Sequence, residues 1–131
     1  MVKKIDVGLS PQERAQAASL CAALRTLRSA DPKLSLEEAY ALLTVASRPG
    51  VMQKEVAEEL GLSSGSLSRV FGHLTERGDK RTDGLKLIRT EDDKTDWRQK
   101  LNFLTPSGEV LVRAALRDAT DGGKDVGPPE G

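Results

Sequence analysis

Apolar residues return at helical spacing over most of this chain and alternate with polar ones over two short runs. Ala17, Leu20, Cys21, Leu24 and Leu27 share one helical face. Ser10-Pro11-Gln12-Glu13 precedes them as a cap, a first-turn proline and a capping-box glutamate. Together they predict a helix over residues 10–29, stopped by Asp31-Pro32. A second box, Ser35 with Glu38, opens a helix to about residue 47 that packs through Leu36, Ala39, Tyr40 and Leu43. Arg48-Pro49-Gly50 breaks it, and Val51-Met52 has the makings of a very short strand.

Residues 53–70 read as two short helices around a tight turn. Val56, Ala57 and Leu60 form one apolar stripe; Leu67, Val70 and Phe71 form the next. Gly61 sits where the chain must turn, because glycine takes positive φ at little cost. Ser63 follows as an N-cap, and Ala57 is small enough for two helices to cross beside it. This is the pattern of a helix-turn-helix. Its second helix is expected to reach about residue 77, with Gly78 as the stop.

The polar run 79–84 leads into alternation over 85–90 and again over 99–104, with a charged loop at 91–96 between them. That is a β-hairpin with a long charged tip. Thr105 and Pro106 then start a helix with Val110, Leu111, Ala114 and Ala115 on its apolar face, ending near Ala119. Residues 120–131 hold glycine and proline with almost no apolar side chains and predict disorder. The expected organisation is a flexible stretch 1–9, a domain over 10–119 with its DNA-binding part at about 36–105, and a disordered tail. The fold class is mainly α with a small β-hairpin, a winged helix-turn-helix.

Composition changes this picture little. The 131 residues carry 20 Lys plus Arg against 20 Asp plus Glu, so global charge does not announce a nucleic-acid partner. A DNA-binding module needs only a local basic edge. Few aromatics argue against a base-stacking platform. Cys21, the one cysteine, excludes an internal disulfide and fits a reducing compartment. It suits a small buried apolar role better than a redox sensor, with only Arg25 one turn away to lower its pKa. No stretch approaches a membrane span or a signal-peptide core, which predicts a cytoplasmic protein without membrane contact. His73 and Cys21 are far apart and single, so no metal site, cofactor loop or nucleophile–base pair is apparent, and no enzyme is expected.

The N-terminal part of a recognition helix faces base edges and phosphates. Here those positions are Ser63, Ser64, Gly65, Ser66, Ser68 and Arg69. The serines can donate hydrogen bonds, and Gly65 allows close backbone approach. Arg69 is the candidate for base readout, because its planar fork matches guanine O6 and N7, a contact worth about 1–3 kcal/mol of discrimination. His73, one turn on, is a candidate phosphate or base contact, or a surface histidine without function. Lys80, Arg81 and Lys94 are candidate phosphate contacts, though Glu91-Asp92-Asp93 shows that the loop is not uniformly basic.

Three motifs resemble the MarR family of winged helix-turn-helix regulators. They are residues 53–70 running on through His73-Leu74 to Glu76-Arg77-Gly78; Asp96-Trp97-Arg98, matching the wing-tip Asp-x-Arg; and Leu104-Thr105-Pro106-Ser107-Gly108, matching Leu-Thr-x-x-Gly. The resemblance implies a homodimer on a pseudo-palindromic DNA operator, usually as a repressor. The helix from Ser64 enters the major groove. Arg98 reaches the minor groove, where negative potential concentrates, with Asp96 as its support and Trp97 beside it. A small-molecule effector is possible on the same ground, with nothing in the residues to support it.

Three departures stand out: Trp97 replaces an arginine often found there, residues 79–83 look inserted, and the usual last long helix is lacking. Dimerisation would therefore rest on Ala17, Leu20, Leu24, Leu27, Val110, Leu111 and Ala114. From the residues alone, the first helix packs on its own domain or on its copy with equal ease. Two other functions remain open: a replication, partition or transfer factor of a mobile element, and a winged helix used for protein contact.

Overall fold

The computed structural model describes residues 8–78, 83–96 and 98–126, with side chains as far as Thr120. In chain order it forms α1 (Pro11–Arg28), α2 (Leu36–Ser47), β1 (Val51–Met52), α3 (Gln53–Leu60), α4 (Ser64–Leu74), β2 (Ile88–Asp92), β3 (Lys100–Leu104) and α5 (Pro106–Val126). The strands make one antiparallel sheet in the order β1-β3-β2. This is the mainly α winged helix expected from the pattern.

Both capping boxes close as the sequence requires. The Ser10 hydroxyl accepts from the Glu13 N–H and the Glu13 carboxylate accepts from the Ser10 N–H, and Ser35 and Glu38 repeat the arrangement. Each satisfies donors that a helix start leaves unpaired. Gly61 ends α3 with φ of 68°, the left-handed geometry that reverses the chain into α4.

The core gathers Leu27 of α1, Leu42 and Val45 of α2, Val56 of α3, Phe71 and Leu74 of α4, and Ile88 of β2. Of the polar residues buried in the described structure (Ser19, Glu38, Thr44 and Asn102), one is wholly enclosed. Asn102 of β3 is fully buried; its amide donates to Val51 O at 2.9 Å, and its carbonyl accepts from Gln53 at 3.3 Å and Thr90 at 3.2 Å. It therefore joins all three strands to the start of α3.

Four expectations need correction. The recognition helix ends at Leu74 rather than near residue 77, because Thr75 turns extended. Residues 85–87 are not strand. Their N–H groups donate to His73, Thr75 and Leu74 carbonyls, the acceptors that a helix end leaves open. Gly84 makes this possible: a Cβ there would lie 1.7 Å from Thr75 O. The hairpin shifts accordingly, with Glu91 and Asp92 in β2 instead of the loop. Finally, α5 continues past Ala119 to Val126. The tail beyond 126 and residues 1–7 lie outside the described residues.

Helices α1 and α5 lie along each other, joined by a Thr26–Asp118 hydrogen bond. The inward stripe of α1 is Ser19, Ala23 and Leu27. Leu27 is 2% exposed and belongs to the core of its own chain, so it is not free to meet a second copy. Ala17, Leu20, Cys21 and Leu24 occupy the outer face. A cysteine exposed there is not the buried residue expected from its apolar neighbours.

Candidate nucleic-acid interface

Helix α4 holds no acidic residue, and its N-terminus carries the partial positive charge of the helix dipole. The Ser63 hydroxyl caps it, accepting from Ser66 N–H at 3.2 Å. Ser63, Ser64, Gly65, Ser68 and Arg69 are exposed, while Ser66 is half-buried. The Ser66 hydroxyl lies 3.2 Å from that of Ser63 and accepts from the Arg69 guanidinium at 3.2 Å. Ser66 thus orients Arg69 along the outer face of the helix.

A second arginine joins this face. Arg77 donates to Ser68 O at 2.5 Å and reaches the Ser68 hydroxyl at 3.4 Å, lying back over Gly72. The sequence places Arg77 at the end of an expected longer helix and gives it no contact; the structure ends α4 at Leu74 and folds Arg77 back.

His73 points elsewhere. Its Nδ1 lies 2.5 Å from Glu38 Oε2 and its Nε2 lies 2.9 Å from Asp31 Oδ2. Both ring nitrogens are taken by carboxylates of the same chain, on the side of α4 facing α2. This removes His73 from the set of DNA contacts expected from its spacing.

The wing is charge-balanced both along its strands and at its tip, where Asp93 and Asp96 offset Lys94 and Arg98. Arg89 pairs with Glu91 while stacking on Phe103, 4.7 Å from guanidinium carbon to ring centre, and Lys100 pairs with Asp92. Asp93 accepts from the Thr95 N–H and hydroxyl, closing a tight turn. Asp96 accepts from Arg98 Nε at 3.0 Å, from the Arg98 backbone at 3.2 Å and from Gln99 Nε2 at 3.0 Å. The Arg98 guanidinium first, then Gln99, hold the Asp96 carboxyl below the ordinary aspartate range. The Arg98 side chain, 74% exposed, is thereby aimed without being buried. Lys94 is also exposed. Lys80, Arg81 and Trp97 lie outside the described residues.

A cleft of about 680 Å³ separates these two parts. Phe71, Thr75 and Arg77 line one side, and Lys86, Arg89 and Lys100 the other. The end of α4 and the strands of the wing therefore flank one groove, which the acids Glu76 and Asp92 also line. Among the described residues no group of His, Cys, Asp and Glu is arranged to hold a metal ion, and no helix is long and apolar enough to cross a membrane.

A helix-turn-helix followed by a two-stranded hairpin, with β1 completing the sheet, is the winged-helix fold also found in MarR-family structures. No family model matches the chain. Among curated proteins it is 26% identical over 85 residues to the transcriptional regulator HosA of Escherichia coli O157:H7, across 65% of this chain and 57% of that protein. The chain thus matches little more than half the length of that relative. Among solved structures it resembles the S. aureus MepR–DNA complex, with a TM-score of 0.67 and 22% identity over 84% of this chain and 76% of that one. It also resembles MarR itself, with a TM-score of 0.55 and 22% identity over 82% and 76%.

Proposed function

We propose that this protein is a sequence-specific double-stranded DNA-binding regulator of transcription that works as a homodimer, most simply as a repressor on a pseudo-palindromic operator. The observation that carries the reading is the acid-free α4 bearing an exposed Arg69, in one chain with an exposed wing Arg98 held by Asp96. The likeness to a structure described as a DNA complex supports it.

In this reading α4 enters the major groove and presents Ser64, Gly65, Ser68 and Arg69, with Ser66 bracing Arg69. Arg98 lies in the adjoining minor groove, and Lys94 meets phosphate. Neutral overall charge is no obstacle, because Glu91 and Asp92 are each neutralised inside the wing. Leu20, Leu24, Val110 and Leu116 expose a large apolar area on α1 and α5, together with Ala17. Such area is costly to leave in water and suits a second copy. Leu111 and Ala114 are half-buried and contribute at its edge.

Selection from random duplexes, followed by titration at several salt concentrations, tests this. A selected duplex should bind with affinity that falls steeply as salt rises. Arg98→Ala and Arg69→Ala should weaken binding, the second also relaxing base preference by about 1–3 kcal/mol at one position. Wild-type affinity in both variants would defeat the docking described. Binding insensitive to salt would favour a winged helix used for protein contact.

A further inference from the structure

His73 is the one histidine of the chain, and it joins three parts of the fold. Its own helix is α4. Asp31 lies in the turn just after α1, and Glu38 in the first turn of α2. Both partners are carboxylates, which when ionised only accept hydrogen bonds, so two bonds from one ring require both nitrogens to carry protons. That is the imidazolium form. Glu38 strengthens the requirement: its side chain is only 11% exposed, and its other oxygen is occupied by the Ser35 N–H. A carboxylate this enclosed is costly without a cation beside it.

We propose that His73 is a proton-operated tie between the recognition helix and the α1–α2 junction, seating α4 when protonated and loosening it when neutral. A neutral ring keeps one N–H and turns the other nitrogen's lone pair toward a carboxylate. The Asp31 arm is the one that yields. Asp31 sits in a turn and keeps its bond from the Lys33 N–H at 2.8 Å, whereas Glu38 is fixed within a helix and its capping box. Because α1 carries the exposed apolar face, loosening at Asp31 uncouples that face from the helix proposed to read DNA.

Partial burial disfavours the charged ring, but the hydrogen bonds it donates to Glu38 and then Asp31, with their charges, outweigh it and raise its pKa above the ordinary histidine value. Lys33 acts on Asp31 rather than on the ring. Arg69, one turn earlier on α4, and Arg77, just past its end, are turned to Ser66 and Ser68. From the segment after α4, Leu85 contributes only its N–H to the His73 carbonyl. A raised folded-state pKa fixes the sign: the tie is complete below the unfolded histidine value and is lost as pH rises through the folded one.

With a single histidine, nuclear magnetic resonance of the ring in the full chain follows the tie directly. The midpoint should lie above the ordinary histidine value, with both nitrogens protonated below it. Asp31→Asn and Glu38→Gln should each lower it, the latter with its capping box intact because glutamine serves at that position. A wild-type midpoint at or below the ordinary value, or one that Asp31→Asn leaves unmoved, would overturn the proposal.

The effect on DNA rests on the function proposed above. From about pH 6 to about pH 9, across the histidine range, affinity for a selected duplex should fall about fivefold more in the wild type than in His73→Gln, the low end for coupled sites. Equal falls would show that the tie does not reach the DNA-facing helix. If no duplex binds at all, the DNA reading fails, while the ring titration and amide exchange of α4 against pH still decide the tie.

Discussion

Asn102→Ala is the substitution that asks most of this fold. Asn102 is fully buried, and its amide satisfies Val51 O at 2.9 Å, an acceptor on a strand residue itself only 5% exposed. Removing the amide strands that carbonyl away from water, a loss of about 1–3 kcal/mol. The truncated volume adds a little, because β1, β3 and α3 cannot all close on it. The other partners cost less. Thr90 is exposed and Gln53 half-buried, so both can turn to solvent. A net destabilisation of about 2–3 kcal/mol follows, or roughly 8–12 °C in melting temperature for a domain of this size. Urea and thermal melts measure it, with Thr90→Ala as a control expected to lie within about 0.5 kcal/mol of wild type. Amide exchange should locate the added opening in β1 and β3. A loss below about 0.5 kcal/mol would mean that water or a shifted strand satisfies Val51 O, and the joining role of Asn102 would be refuted.

Other perturbations separate the parts of the molecule. Because Arg98 and Gln99 depress the Asp96 pKa, their arrangement should persist down through the ordinary aspartate range and be lost only as pH falls through the lowered value; a carbon-13 titration of the Asp96 carboxyl with an ordinary midpoint would contradict the geometry. Gly84→Ala should cost about 3 kcal/mol because its Cβ meets the Thr75 carbonyl, whereas Gly65→Ala, with open space around it, should gain up to about 1 kcal/mol by chemical melts while weakening duplex binding. Leu24→Glu should shift light scattering toward the monomer with little change in the melt, and Leu27→Ala should cost about 2–5 kcal/mol without specifically dissociating copies. Equal effects from those two leucines would merge the core and the outer face that the structure separates.

The elements with local causes were readable from residue order. Ser10 with Glu13 and Ser35 with Glu38 announce their helices because a capping box is satisfied within four residues. Gly61 and Ser63 mark the turn for the same reason. The wing-tip pairing of Asp96 with Arg98 is equally local.

What eluded the sequence depended on distant partners. The alternation at 85–87 looked like strand, but the free carbonyls of α4 outcompeted β3 for those N–H groups. The apolar face of α1 was read as one stripe. The position of α5 divides it, turning Leu27 inward and leaving Leu20 and Leu24 outside. His73 is spaced as a groove contact, yet Asp31 and Glu38, far earlier in the chain, claim both of its nitrogens. Asn102 carried no local signal at all, since an asparagine amid alternation reads as an exposed strand position until its neighbours are known.

The stitching between the end of α4 and the approach to the wing has a consequence for change over time. Gly78 N–H returns to Gly72 O at 2.7 Å, and Leu85 and Leu87 bond back to His73 and Leu74. Gly78 on one side and Leu85 to Leu87 on the other are therefore clamped on the end of the helix. Lengthening a loop with clamped ends costs only about 0.6 kcal/mol per doubling. Sequence added between Gly78 and Gly84 should therefore leave the helix and the wing at their present spacing.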